Sequence, residues 1–175
     1  MPLIFTQEGL YMVKKSLVSL SLLLCLQGCN QSALSVFGDD SLYERGLQYT
    51  QVADIVQSFE TKAIINATYL NSTDSDKWDN QYENFLIGVY IAQDRSKEED
   101  KFLNNKKYIL TLNGKEYDKK EPVVKGTELY SHIPLQNPHA KYFIVSFKKV
   151  EDTNSLKLQY GNTTGAKAIL TFQAQ

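Results

Sequence analysis

Two histidines, His132 and His139, are the side chains in this sequence best suited to bind a metal ion. Pro134 and Pro138 between them predict a loop that could bring the two imidazoles together. A zinc site needs three or four ligands, so a carboxylate such as Glu128 or a residue on a distant strand must complete it. Without a cysteine or a short His-x-His spacing, the pattern favours ordinary surface histidines, and a metal- or small-ligand-binding site is the alternative.

A second candidate site is the acidic segment 71–79, which contains Asp74, Asp76 and Asp79. Oxygen-rich loops bind calcium, but the EF-hand pattern fails here because Trp78 occupies a ligand position and Asp79 replaces the turn glycine. The pattern therefore favours a solvated loop between strands, with a calcium site of another kind as the alternative.

The same segment contains the only tryptophan, Trp78, with Tyr82 close behind it. An exposed aromatic residue in a polar loop is typical of a contact with protein or carbohydrate, and Tyr90 is a further candidate for such a patch. The interpretation we favour is that Trp78 folds back and plugs one end of the domain, because burial of apolar surface usually outweighs loop freedom.

Motifs of nucleophilic and phosphate chemistry are absent from the sequence. There is no Gly-x-Ser-x-Gly elbow, no Ser-x-x-Lys with its companion motifs, and no glycine-rich phosphate loop. Acidic residues are scattered through polar segments, so no carboxylate pair of the glycosidase type can be named. The sequence predicts a protein that is not an enzyme and that uses no cofactor.

A short apolar run near the amino terminus ends at a cysteine, Cys29. Lys14-Lys15 precedes the uncharged run Ser16–Leu26, which is too short for the roughly 20 residues of a membrane-spanning helix but suits a signal peptide. The residues Leu26-Gln27-Gly28-Cys29 resemble the lipobox of bacterial lipoprotein precursors. This resemblance covers about the first sixth of the chain, and the remainder matches no family that we could name.

The resemblance implies cleavage between Gly28 and Cys29, with lipid attached to the thiol of Cys29. Two or more acyl chains anchor a protein stably to a membrane. Asn30, which follows the cysteine, resembles the class sorted to the outer membrane. The implied location is the cell membrane, on the outer membrane facing the periplasm or the exterior.

These features predict four parts of the chain. Residues 1–11 fit no targeting pattern and read as a translated leader before Met12, residues 12–28 as the signal peptide, residues 29–41 as a tether, and residues 42–175 as one domain. The 19 basic and 20 acidic residues nearly balance, without a long run of either sign, so no nucleic-acid partner is implied. The only mature cysteine is Cys29, which excludes a disulfide.

Beyond the tether, apolar and polar residues alternate with a period of two. The predicted strands are Leu47–Val56, Lys62–Leu70, Phe85–Ile91, Tyr108–Leu112, Glu128–Ile133, Ala140–Phe147, Leu156–Tyr160 and Lys167–Phe172. About eight strands with regular turns predict an all-β, antiparallel sandwich of immunoglobulin-like type, and a small barrel is the alternative. Asn113-Gly114 predicts a hairpin turn, and the capping box Ser96–Glu99 predicts one short helix.

Together the patterns predict a lipid-anchored, non-catalytic module that binds an envelope protein or polymer. Edge strands are a natural docking site because their backbone groups can pair with another strand. The sequence does not identify those edges.

Overall fold

Nine antiparallel strands in two packed sheets make up the computed structural model of this protein, which describes residues 41–78, 81–97, 100–149 and 154–174. Those residues belong to one compact unit that begins at Ser41. The helices are α1 (Ser41–Gln48), α2 (Ser75–Trp78) and α3 (Glu128–Ser131). The strands are β1 (Thr50–Gln57), β2 (Glu60–Tyr69), β3 (Tyr82–Ile91), β4 (Tyr108–Leu112), β5 (Lys115–Glu116), β6 (Lys119–Pro122), β7 (Lys141–Lys148), β8 (Ser155–Asn162) and β9 (Lys167–Gln173).

The strand order is that of an immunoglobulin-like sandwich with one strand added. The first sheet has the order β1-β2-β3-β7-β6, and the second has the order β5-β4-β8-β9. Strands β2, β3, β7 and β6 correspond to immunoglobulin strands A, B, E and D, and β5, β4, β8 and β9 to C′, C, F and G. β1 extends the first sheet by pairing with β2. The predicted all-β sandwich is therefore confirmed, with nine described strands instead of about eight.

The core between the sheets is built from alternate side chains of the strands. Phe85 on β3 lies at its centre, with its ring centroid 5.9 Å from that of Phe147 on β7 and 5.3 Å from that of Phe172 on β9. Strand β3 is buried on both faces along nearly its whole length, as its continuous apolar sequence predicts for a central strand. The two sheets thus share one aromatic core.

One side of the sandwich is closed by a side chain instead of a strand pair. The amide of Gln51 on β1 donates to the Thr171 carbonyl at 2.6 Å and accepts from the Thr171 N–H at 3.2 Å. These are the two bonds that a neighbouring strand would make, so Gln51 satisfies part of the outer edge of β9.

The outer face of the first sheet is covered by the connection from β6 to β7, residues 123–140, which we call the cover segment. Its Ile133 packs with Leu86 and Tyr142 of the sheet and with Leu70 in a second hydrophobic cluster. The buried Asn66 of β2 donates to two carbonyls of the segment, at 3.1 and 2.9 Å. The cover segment is therefore fixed to the sheet by both apolar and polar contacts.

Two local predictions were wrong. Glu128–Ile133 is not a strand, because the Thr127 hydroxyl caps the helical turn α3 by accepting a hydrogen bond from the Tyr130 N–H. The helix predicted from Ser96 onward falls partly outside the described residues; next to it the Asp100 N–H donates to the Lys97 carbonyl at 2.9 Å, and Phe102–Asn104 forms a 3-10 turn. The described residues contain three short α-helices elsewhere. Glu98 and Glu99 of the predicted capping box lie outside the described residues. The first predicted strand begins at Thr50, because Leu47 belongs to α1.

Candidate functional site

The turn between β1 and β2 consists of two residues, Ser58 and Phe59, which lie between the paired Gln57 and Glu60. Both turn residues have a positive φ, 54° and 63°. This is the φ combination of a type I′ turn, in which Asn-Gly is usual because a Cβ atom disfavours left-handed backbone. Phe59 is fully exposed. The turn therefore holds a bulky aromatic residue in strained backbone and in full contact with solvent.

The predicted hairpin at Asn113-Gly114 has the same kind of turn with the residues that suit it. Leu112 pairs with Lys115, and the two turn residues have φ values of 49° and 80°. The prediction of this turn is confirmed. The comparison shows that the Ser58-Phe59 turn adopts left-handed backbone against the preference of its residues.

Two further residues with left-handed backbone, Gln93 (φ 53°) and Phe102 (φ 57°), lie at the same end of the sandwich. Backbone hydrogen bonds join the segments there, from the Ala92 N–H to the Lys62 carbonyl and from the Thr163 N–H to the Lys107 carbonyl, both at 2.9 Å. We call this region, residues 57–62, 92–97, 100–107 and 162–166, the hairpin end. Strained backbone is concentrated at functional sites, so the hairpin end is the candidate site.

Asp94 organises the loop between β3 and β4. Its carboxylate accepts hydrogen bonds from the Ser96 N–H at 3.0 Å and from the Asn105 amide at 3.1 Å. The Asn105 side chain, which is buried, also accepts a hydrogen bond from the Lys107 N–H at 3.0 Å. Burial alone would raise the pKa of Asp94, but the hydrogen bonds from Ser96 and Asn105 and the charge of Lys101 outweigh it and lower the pKa. The loop is thus held by charge-assisted hydrogen bonds.

A cavity of about 450 Å³ opens beside this loop. Its aromatic wall includes Tyr108, Tyr117 and Tyr160, and the rings of Tyr108 and Tyr160 stack with their centroids 5.2 Å apart. Its polar residues are Asn104, Asn105, Lys106, Glu116 and Lys120. The buried Tyr160 hydroxyl has no hydrogen-bond partner among the described residues. Burial, reinforced by Tyr108 and the negative Asp94, raises the pKa of Tyr160 far above its ordinary value, so the phenol is neutral.

Both histidines, His132 and His139, lie in the second half of the cover segment. The His132 Nδ1 is 2.7 Å from the Glu128 carbonyl oxygen and 3.1 Å from the Ser131 hydroxyl. The exposed His139 packs its ring 6.1 Å from that of Tyr90. In the part of the chain that the structure describes, no three His, Cys, Asp or Glu side chains are grouped as a metal site.

The residues of the predicted acidic loop are placed at the other end of the sandwich. Asp74 precedes α2 and accepts the Trp78 N–H at its backbone carbonyl, 3.0 Å away, and the exposed Asp76 lies within α2. Trp78 is half-buried against the second hydrophobic cluster. It folds back as we favoured, but onto the outer face of the first sheet and not into the end of the sandwich. Tyr82, at the start of β3, has the ammonium of Lys119 4.4 Å from its ring centroid. Asp79 lies outside the described residues.

Sequence reasoning did not single out Phe59 or the cavity tyrosines. The available signal for an exposed turn was Phe59 itself. It is a single aromatic residue between two predicted strands, and Ser58 and Glu60 flank it. Tyr108 and Tyr160 were placed on strands by their alternation, but their stacking depends on the pairing of β4 with β8.

The predicted lipidation and cleavage residues, Gly28 and Cys29, lie outside the described residues. Within those residues, no helix combines the length and apolar character needed to cross a membrane. Comparison with protein-family models, with curated proteins and with solved structures found no match to this chain.

Proposed function

We propose that this chain is a lipid-anchored lipoprotein of the bacterial cell envelope and that its sandwich is a non-catalytic binding module. The hairpin end meets the partner, which is a protein or an envelope polymer. The lipid on Cys29 holds the module at a membrane, on the outer membrane facing the periplasm or the exterior. The observation that carries the proposal is the fully exposed Phe59 in strained backbone.

Phe59 has the properties of an interface anchor. An aromatic side chain offers a large contact area, and only two torsions must be ordered when it binds. Val56, three residues earlier, is 55% exposed and adds apolar surface close to the turn in sequence. Left-handed backbone costs roughly 1–2 kcal/mol for a residue with a Cβ atom, and this turn does not need phenylalanine to form. Contact of the exposed ring with a partner therefore explains a phenylalanine at position 59 better than formation of the turn does.

The sheet edges are less suited to docking than the hairpin end. β6 is four residues long and reads Lys-Lys-Glu-Pro, and charges and proline at an edge oppose pairing with another strand. β5 has two residues. The remaining edge strands, β1 and β9, lie against each other, and Gln51 of β1 bonds both outward backbone groups of Thr171 on β9. We therefore place the contact at the end of the sandwich and not along a strand.

The anchor is tested by Cys29→Ala. The variant should lose labelling with a radioactive or clickable fatty acid, and it should either keep its signal peptide or become soluble. Cys25→Ala is the matched control, because Cys25 lies within the apolar run and should not be acylated. Full lipid labelling of the Cys29→Ala protein would contradict the lipoprotein assignment.

The contact is tested by placing a photo-crosslinking phenylalanine analogue at position 59 in intact cells. Ile169, on the outer face of β9 and 41% exposed, is the matched control position. We expect a discrete adduct with a protein, or a ladder with a polymer, at position 59 and neither at position 169. Equal labelling at both positions, or none at position 59, would place the contact elsewhere.

A further inference from the structure

We infer that Asn113 is a site of spontaneous deamidation, and that two side-chain hydrogen bonds to β8 slow the reaction in the folded protein. Asn113 is the only asparagine in the chain that is followed by glycine. Both residues of this turn are exposed, and no heavy atom lies within 4 Å of the position that a Cβ atom would take at Gly114. Water and base therefore reach the peptide group that joins the two residues.

The reaction uses only the atoms of the turn, base and water. The backbone nitrogen of Gly114 loses its proton to base and attacks the side-chain carbonyl carbon of Asn113, forming a new C–N bond. The C–N bond of the side-chain amide breaks, and its nitrogen takes a proton from solvent and leaves as ammonia. Water then opens the cyclic imide at one carbonyl to give aspartate or at the other to give isoaspartate. Glycine favours the attack because no side chain hinders its nitrogen.

In the folded protein the Asn113 side chain is turned toward β8. Its Oδ1 accepts the Lys157 N–H at 2.8 Å, and its amide nitrogen donates to the Ser155 carbonyl at 3.4 Å. The backbone N–H of Asn113 also donates to the Lys157 carbonyl at 2.9 Å. These bonds continue the pairing of β4 with β8 beyond Leu112. Because both polar atoms of the side chain are bonded to β8, this end of the pairing must open before the side-chain carbonyl carbon can meet the Gly114 nitrogen.

Asn162, in the turn between β8 and β9, is the matched control within the chain. Its Oδ1 accepts the Thr164 N–H at 3.1 Å and the Ala166 N–H at 2.9 Å, so its side chain is also held by backbone donors. It is followed by Thr163, whose branched side chain crowds the attacking nitrogen. Asn162 should therefore keep its amide under conditions in which Asn113 loses its own.

The two products have different effects on the turn. Aspartate keeps the acceptor for the Lys157 N–H but loses the donor to the Ser155 carbonyl. Isoaspartate adds one carbon atom to the main chain, and the length of a two-residue hairpin fixes the register of its strands. The pairing of Leu112 with Lys115 therefore cannot keep its register in the isoaspartate product, and β5 is loosened from the second sheet.

The test is incubation of the purified protein at neutral and at mildly alkaline pH, in buffer and in guanidinium chloride. Peptide mass spectrometry and enzymatic methylation of isoaspartate measure the products. We expect Asn113 to be converted at a rate that rises with pH and is at least about tenfold higher in guanidinium chloride, because unfolding removes the two hydrogen bonds to β8. Asn162 should remain intact in both solutions.

Two variants complete the test. Asn113→Gln keeps an amide but would have to close a larger ring, so it should form no isoaspartate at this position. Gly114→Ala should react several-fold more slowly in guanidinium chloride, where folding of the variant does not affect the comparison. An intact Asn113 in both solutions, or equal rates at Asn113 and Asn162, would overturn the site. Equal rates in buffer and in guanidinium chloride would overturn its protection by β8. Crosslinking at position 59 does not depend on either result, so the proposed function is tested separately.

Discussion

The outer faces of the two sheets differ in what lies on them. On the first sheet, the cover segment and Trp78 pack over Leu86 and Tyr142 and form a second hydrophobic cluster. On the second sheet, the outward side chains are exposed or half-buried: Ile109, Thr111, Lys157, Gln159, Lys167, Ile169 and Thr171. The domain therefore has one covered face and one open face.

This difference assigns a structural role to the cover segment. It contains both histidines, and the contact of the His132 ring with the Glu128 carbonyl lies at the end of helix α3. Ile133 of the segment is buried in this packing, whereas Val124 and Leu135 remain 64% and 52% exposed. Among the large apolar side chains of the described residues, Phe59 at the hairpin end is the most exposed.

The largest expected effect is that of a methyl group added to the covered face. A Cβ atom at Gly88 would lie 2.3 Å from the Tyr142 ring, and that ring is buried and packed edge-on against Tyr130. Gly88→Ala should lower the free energy of unfolding by about 3 kcal/mol, because the ring cannot move aside without strain. Urea denaturation measures the change.

Gly161→Ala on the open face is the matched control. There the added Cβ atom would lie 3.1 Å from the Cβ atom of Lys167, and alanine reduces the entropy that glycine loses on folding. We expect a change within about 0.5 kcal/mol. Equal losses in the two variants would show that coverage does not distinguish the faces.

The next effect concerns the attachment of the cover segment. Asn66→Ala removes the two hydrogen bonds to the Pro134 and Leu135 carbonyls. It should lower the free energy of unfolding by about 2 kcal/mol, because these two carbonyl oxygens, which lie near the buried surface, lose the Asn66 amide as their hydrogen-bond donor.

Hydrogen exchange distinguishes detachment of the segment from general destabilisation. We expect faster exchange of the Asn137 amide, whose N–H donates to Tyr142, than of amides in β8. Gln159→Ala on the open face should change stability by less than about 0.5 kcal/mol. Uniform acceleration throughout the domain would argue against a separately attached cover.

Burial on one or both sides of a strand could be predicted from local pattern. The continuous apolar run of β3 and the alternation of β8, from Leu156 to Tyr160, match their observed burial. A strand side chain points to one face or the other with a period of two, so the polarity of each face appears directly in the sequence.

The cover segment could not be predicted in the same way. Leu129, Tyr130 and Ile133 suggested a strand, but their spacing of three and four residues also fits a single helical turn. Four residues are too few for either period to be recognised, and the deciding interaction was the Thr127 cap. Packing against the first sheet then determined the path of the rest of the segment.

The candidate site at the hairpin end was the region least predictable from the sequence. Asn113-Gly114 carries its own signal for left-handed backbone, whereas Ser58-Phe59 carries none. Pairing of β1 with β2 as far as Gln57 and Glu60 leaves only these two residues for the turn. Pairing of the two strands therefore imposed a conformation that the turn residues disfavour, and the residue pattern alone could not have predicted it.

The smallest expected effect is a pH dependence on the covered face. Burial raises the pKa of Tyr142 above its ordinary value of 10.0, and the neighbouring Tyr130 adds to the shift, although the hydrogen bond from the Asn137 N–H opposes it. A phenol whose pKa is raised by folding contributes stability that is complete below about pH 10 and is lost as the pH rises through the folded-state pKa.

At pH 7, Tyr142→Phe should lower the free energy of unfolding by about 1 kcal/mol through the lost hydrogen bond. Above pH 10 the variant has no phenol to ionise at this position, so its deficit relative to the wild type should shrink. Urea denaturation at pH 7, 9, 10 and 11 measures this, and a deficit that grows with pH would mean that the folded protein stabilises the Tyr142 phenolate.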